Sequence, residues 1–234
     1  MKRNWQQLEQ KISVKFADKN LLKKAFVHRS YLNENPGFKL GHNERLEFLG
    51  DAVMELAVTE WLFCQYPRSP EGDLTNWRAS LVNSQTIAQI ARELNLESYL
   101  FLSRGEAKDK NSKARQMILA NVFEALIGAI YLDQGMNKSC QFIEKNLLVK
   151  FEEILENHLY LDPKSKFQEL AQEKLNITPF YQVLSEKGPD HKKVFAVGVY
   201  LEDKLVAQGQ GSSKQEAQLA AAQAALAKNN WKLE

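Results

Sequence analysis

The spacing of apolar residues changes once along this chain, near Leu161, and that change constrains the fold more than any other feature. Before it, segments 45–64, 77–94 and 115–134 carry apolar residues at three-and-four intervals, the pattern of amphipathic helices. After it, DPKS at 162–165 predicts a helix start with Pro in the first turn, continuing to about Leu175. FYQVLSEKG (180–188), KKVFAVGVYLE (192–202) and KLVAQGQG (204–211) are rich in aromatic and β-branched residues and predict three strands. GPDH and the pair Glu202–Asp203 connect the strands, and an alanine-rich helix follows from Ser213 to Asn229. Its small side chains suit close packing on a sheet. The expected organisation is an all-α domain over 1–155, a linker over 156–161 and a small α+β domain, ordered α-β-β-β-α, over 162–231.

A chain of 234 residues with 44% hydrophobic and 26% charged residues has the balance of a globular protein of one large domain or two ordinary ones. Its net charge of only +2 makes a weak overall field, so a polyanionic partner must be held by charge arranged locally. The start, MKRNWQQLEQKISVKF, lacks an apolar core of signal-peptide length, and no apolar run approaches a membrane span, so a cytosolic protein without membrane contact is expected. Cys64 and Cys140 have no framework spacing and are expected to be buried thiols rather than a disulfide or a zinc site. Residues 103–116, with five basic and two acidic side chains, read as an exposed loop.

Within HNERLEFLGDAV, residues 42–53, Glu44, Glu47 and Asp51 are spaced by three and then four positions. At about 100° per residue they fall within roughly 60° of one another on a helix. Like charges so placed repel, by a few tenths of a kcal/mol per exposed pair and by more when buried. A divalent cation reverses that sign, because Mg²⁺ takes oxygen from one or two carboxylates together with substrate phosphates. Leu46, Leu49, Val53, Leu56 and Ala57 form an apolar stripe facing roughly away from the acids. In LANVFEALIGAIYLD, residues 119–133, Asn121 and Glu124 share a face at i and i+3, and Gly128 continues it with room for close helix approach. A bundle would bring the two acidic stripes together. A solvated helix face is the plain alternative for the first stripe, and a surface amide for Asn121.

HNERLEFLGDAV resembles the signature of the ribonuclease III family, and LANVFEALIGAIYLDQG resembles that family's second acidic motif. PEGDLTNWRASLVN and HRSYLNEN fit the same pattern, while DPKSKFQELAQ, GPDH and GSSKQEAQLAAAQAAL resemble a double-stranded-RNA-binding domain. The resemblance implies a helical-bundle nuclease domain followed by an RNA-binding domain. It implies an endoribonuclease that cuts double-stranded RNA by metal-activated water, leaving 5′-phosphate and 3′-hydroxyl ends. Ribosomal RNA precursors and structured messenger RNAs are the implied substrates, Mg²⁺ the cofactor with Mn²⁺ as a substitute, and a homodimer through the nuclease domain the assembly.

Carried over by motif, Glu47, Asp51 and Glu124 fall on metal-binding positions, Asp51 and Glu124 being the catalytic pair, with Glu44 in support. Asn121 stands where the common bacterial form has Asp, and an amide offers a carbonyl oxygen without negative charge. Phe48 is either an interface residue or a core aromatic. Ser165, Gln168 and Gln172 would face one minor groove, His191 the next, and Lys214 a phosphate. Gln215 and Gln218 stand where further lysines are expected, and the ten basic and nine acidic residues from Asp162 onward imply modest affinity. His28 and His42 are expected to be structural. Two other classes compete: a duplex-RNA-binding protein with a decayed site, which the three carboxylates argue against, and a di-iron bundle, which needs Glu-x-x-His pairs that are missing here.

Overall fold

The structure, a computed structural model, describes residues 3–109, 112–158, 160, 162–189, 193–229 and 231. The chain divides into two compact units, Met1–Ile154 and Leu155–Glu234. In the first unit the helices are α1 (Trp5–Ile12), α2 (Lys19–Ala25), α3 (Arg29–Glu34), α4 (Glu44–Gln65), α5 (Glu71–Leu81), α6 (Ser84–Glu93), α7 (Arg104–Lys108), α8 (Lys113–Gln134) and α9 (Met136–Asn146). Helix α10 (Phe151–Glu156) runs across the boundary, and the second unit holds α11 (Pro163–Leu175), β1 (Phe180–Lys187), β2 (Val194–Leu201), β3 (Lys204–Gly211) and α12 (Lys214–Lys228).

Helix α8 is the centre of the first unit, with twelve of its 22 residues buried, among them Phe123, Leu126 and Ile127. By length and composition it is apolar enough to cross a membrane, contrary to the expectation that no run approaches a span. Its burial explains its composition: a helix apolar on nearly every side is one surrounded by others. At the far end of α4, Phe151 receives Trp61, Tyr66 and Trp77 edge-on, with centroids 5.3, 5.4 and 5.6 Å away, which ties α4 to α5 and the start of α10.

Four expectations change. Segment 77–94 is two helices, because the Asn83 side chain accepts from the Gln85 and Thr86 amides and starts α6. Residues 103–116 are not one exposed loop: Ser103 caps α7, and α8 begins at Lys113. Within that stretch Arg115 is only 2% exposed, donating to the Asp109 and Glu106 carbonyls beside Glu97, so its charge serves the fold. The buried face of α4 consists of Leu46, Gly50, Val53, Met54, Ala57, Val58 and Leu62, while Leu56 is exposed. The acids therefore adjoin the core face instead of opposing it. Both cysteines are unpaired, yet Cys64 is exposed and Cys140 partly so.

In the second unit Pro163 opens α11, whose N-cap Asp162 accepts from the Ser165 amide at 3.0 Å. The sheet is antiparallel in the order β1-β2-β3, with Glu202 at φ 49° in the turn between β2 and β3. A Cβ on Gly209 would lie 2.1 Å from the Ala221 nitrogen, so bare backbone meets an alanine face. Ala217, Ala221, Ala222 and Ala225 are buried there, around a core of Phe167, Leu170, Val199, Val206 and Leu226.

Candidate active site and RNA-binding surface

Two glycines set the site. A Cβ on Gly50 of α4 would lie 1.8 Å from the Glu124 carbonyl oxygen, and one on Gly128 of α8 would lie 2.2 Å from the Leu46 carbonyl oxygen. The main chains of α4 and α8 therefore touch, a distance no larger residue permits. The start of α4 is pinned separately. Asn43 is buried, its side chain donates to the Ala25 carbonyl at 3.1 Å, and its amide donates to the Val27 carbonyl at 2.9 Å. Gly50 and Asn43 were not singled out from sequence. A glycine inside an apolar helical pattern was the available signal for the first, whereas nothing local marks a buried amide.

This crossing brings Glu47, Asp51, Asn121 and Glu124 together. Asn121 donates a side-chain hydrogen bond to Glu47, which favours the carboxylate. Burial, the Glu44 charge and the Asp51 charge outweigh it and raise the Glu47 pKa. Glu124 is displaced further: burial first, then Asp51 and Glu47, push its carboxyl up to about 8. Among the described residues none of Glu47, Asp51 and Glu124 has an ion-pair partner. Glu44 does: its carboxylate lies 3.5 Å from the Arg29 guanidinium.

Among the described residues no three His, Cys, Asp or Glu side chains are grouped so that they could hold a metal ion by themselves. Two partly buried carboxylates, Glu47 and Glu124, with the exposed Asp51 and one amide make an open, mutually repelling group that suits Mg²⁺, which keeps several waters and takes few protein ligands. His28 and His42 have structural bonds: each accepts through Nδ1 from a backbone amide two residues on, Ser30 and Glu44. Burial pushes the His28 pKa down. Phe48, beside Glu47, is 81% exposed, which removes the core reading. With Leu56 and Phe63 it makes an uncovered apolar side of α4.

In the second unit Ser165, Gln168 and Gln172 lie exposed on α11. Two of them are already engaged: Ser165 Oγ donates to Asp162 at 2.7 Å, and the Gln172 amide donates to Asn176 at 2.7 Å. Lys214 opens α12 and is exposed. Gln218, one turn on, accepts from Lys164 at 2.9 Å, so a cation from α11 stands where α12 lacks one. His191 lies outside the described residues.

Residues 18–151 match the family described as ribonuclease-III-like, and residues 163–229 match the double-stranded RNA binding motif. The chain belongs to the ribonuclease III family and is an endoribonuclease with a C-terminal double-stranded-RNA-binding domain. It is 44% identical over 223 residues to ribonuclease 3 of Chloroflexus aurantiacus, covering 94% of this chain and 90% of that one. It is 43% identical over 221 residues to ribonuclease 3 of Streptococcus pneumoniae strain Hungary19A-6, covering 94% of each. The solved nuclease domain of ribonuclease III from Campylobacter jejuni superposes with a TM-score of 0.53 at 41% identity, covering 61% of this chain and 98% of that one. That structure is described by flexibility in the region involved in dimer formation.

Proposed function

We propose that this endoribonuclease hydrolyses phosphodiesters of double-stranded RNA with a divalent cation, Mg²⁺ or Mn²⁺, held by Glu47, Asp51, Glu124 and the Asn121 carbonyl. The observation that carries the reading is the backbone contact of α4 and α8 at Gly50 and Gly128, which sets Glu47 and Asp51 beside the partly buried Glu124, whose carboxyl they help push up to about 8. Such a group is an unmet demand for positive charge. A bound divalent cation supplies it, and with it the polarisation of water and phosphate that hydrolysis requires. Asp51 and Glu124 are the catalytic pair in this reading. Glu47 shares the cation, Glu44 and Arg29 support the helix start, and Asn121 orients Glu47. The products carry 5′-phosphate and 3′-hydroxyl ends, and the substrates are ribosomal RNA precursors and structured messenger RNAs in the cytoplasm. Cleavage of a long perfect duplex, compared with either strand alone in Mg²⁺ and in EDTA, tests this. Equal cutting of single strands, or cutting in EDTA, overturns it.

Asn121 tunes the site. An Asp there would repel Glu47 where the amide donates to it, and would add a charge for the cation. Asn121→Asp is expected to lower the Mg²⁺ concentration for half-maximal cleavage by about 10-fold, the scale of one charged interaction. A Mg²⁺ titration checks it, and an unchanged midpoint places Asn121 outside the cation's reach.

The same reading includes a homodimer through the uncovered side of α4. Phe48, Leu56 and Phe63 lie there, next to a cavity of about 250 Å³ lined by Leu62, Phe63, Leu74 and Arg78. Three large exposed apolar side chains on one side of a helix suit a protein–protein contact. Phe48→Glu is expected to give a folded monomer in sedimentation with at least about 10-fold weaker cleavage, a loss on the scale of one interface hot spot. A Phe48→Glu dimer refutes this interface.

A further inference from the structure

We infer that Glu186 is a built-in competitor for duplex RNA, an acid that occupies Lys214 of the RNA-binding surface, with Lys193 beside its other oxygen, until phosphate displaces it. Glu186 lies near the end of β1, paired in register with Phe195 of β2. One of its carboxylate oxygens lies 3.2 Å from Lys214 Nζ and the other 3.9 Å from Lys193 Nζ. Lys214 also stands 5.8 Å from the centre of the Phe195 ring. A single carboxylate thus joins the start of α12 to the residue that precedes β2. The inference rests on the reading of Lys214 as a phosphate contact.

Its physical basis is competition for one charge. Phosphate and carboxylate are both oxygen anions, and an ammonium held 3.2 Å from one is partly neutralised toward the other. The side chains of Glu186 and Lys214 are 39% and 59% exposed, so the pair is weak and gives way. Once it has done so, the displaced carboxylate remains beside the phosphates and repels them. The first turns of α12 carry few cations of their own, with Gln215 and Gln218 beside Lys214 and Lys164 of α11 standing at Gln218. Glu186 therefore keeps affinity low and favours substrates long enough to engage the domain at several places, as a duplex of roughly 16 base pairs does.

The test measures binding of the full chain to a duplex RNA of at least that length, with EDTA present so that nothing is cut. Glu186→Gln keeps the shape and removes the charge. It is expected to bind about two- to fivefold more tightly than wild type. The fall of log affinity with log salt is expected to steepen by up to about one unit. Lys214→Ala is expected to weaken binding, and in the Lys214→Ala background Glu186→Gln should recover less than it gains alone. If Lys214→Ala weakens binding while Glu186→Gln leaves it unchanged or weaker, competition is refuted and the phosphate role of Lys214 stands. If Lys214→Ala leaves binding unchanged, the phosphate role fails and the inference falls with it.

Discussion

Glu124→Gln is expected to reduce cleavage by at least about 10²–10³-fold, the scale of losing one charged group aimed at the reacting centre, while duplex binding in a gel shift is retained. The same variant should be more stable than wild type in EDTA at pH 8. The sign follows from the raised pKa. Between the ordinary carboxyl value of 4.5 and about 8 the folded protein holds a proton on Glu124 that the unfolded chain has released. The contribution to stability is therefore complete below pH 4.5 and lost progressively as the pH rises through 8. Gln carries no such proton and escapes the loss. Discounted for the partial exposure of Glu124, the gain is about 1–3 kcal/mol at pH 8 and close to nothing at pH 4. Thermal melts at both values measure it, and a Glu124→Gln protein that cuts normally, or melts below wild type at pH 8, refutes the assignment.

Gly50→Ala is expected to do the opposite to stability. Alanine is about 1 kcal/mol better than glycine in a helix interior. At Gly50 the added methyl would sit 1.8 Å from the Glu124 carbonyl oxygen, and neither main chain yields as a side-chain tip would. Overpacking of that kind costs about 3 kcal/mol or more, so the net change is a loss of roughly 2 kcal/mol at least. The nuclease unit should melt about 4–8 °C lower. Because α4 must shift away from α8, Glu47 and Asp51 leave Glu124, and cleavage falls with stability. Gly72→Ala is the control: nothing lies within 4 Å of a Cβ there, and only the helical gain is expected. Equal melting of the two variants would show that the helices have room between them.

Much of this architecture was legible in the sequence for identifiable reasons. Aromatic and β-branched residues marked the three strands, and the Pro163 start and the alanine run marked the flanking helices, because those signals act over a few residues. The acids at 44, 47 and 51 were legible because like charges on one stripe have few structural uses. Their relation to the core was not. Leu56 belongs by composition inside, but the side of α4 that meets α8 is fixed by Gly50, which hydrophobicity ranks low. The break at Asn83 was hidden because apolar residues continue in helical register across it, and only the cap interrupts the backbone. Arg115 was misplaced because its carbonyl partners at 106 and 109 exist only once the turn before α8 has formed.

Phe48 and Glu47 are successive residues of one uninterrupted helix, the aromatic turned outward and the acid turned toward α8. No joint separates them. A force applied at the outer ring is delivered to the carboxylate through a single rigid rod, so whatever seats against that ring also sets the alignment of the acid. If the proposed interface and the proposed cation site are both right, a change in subunit contact and a change in chemistry fall on the same few ångströms of backbone.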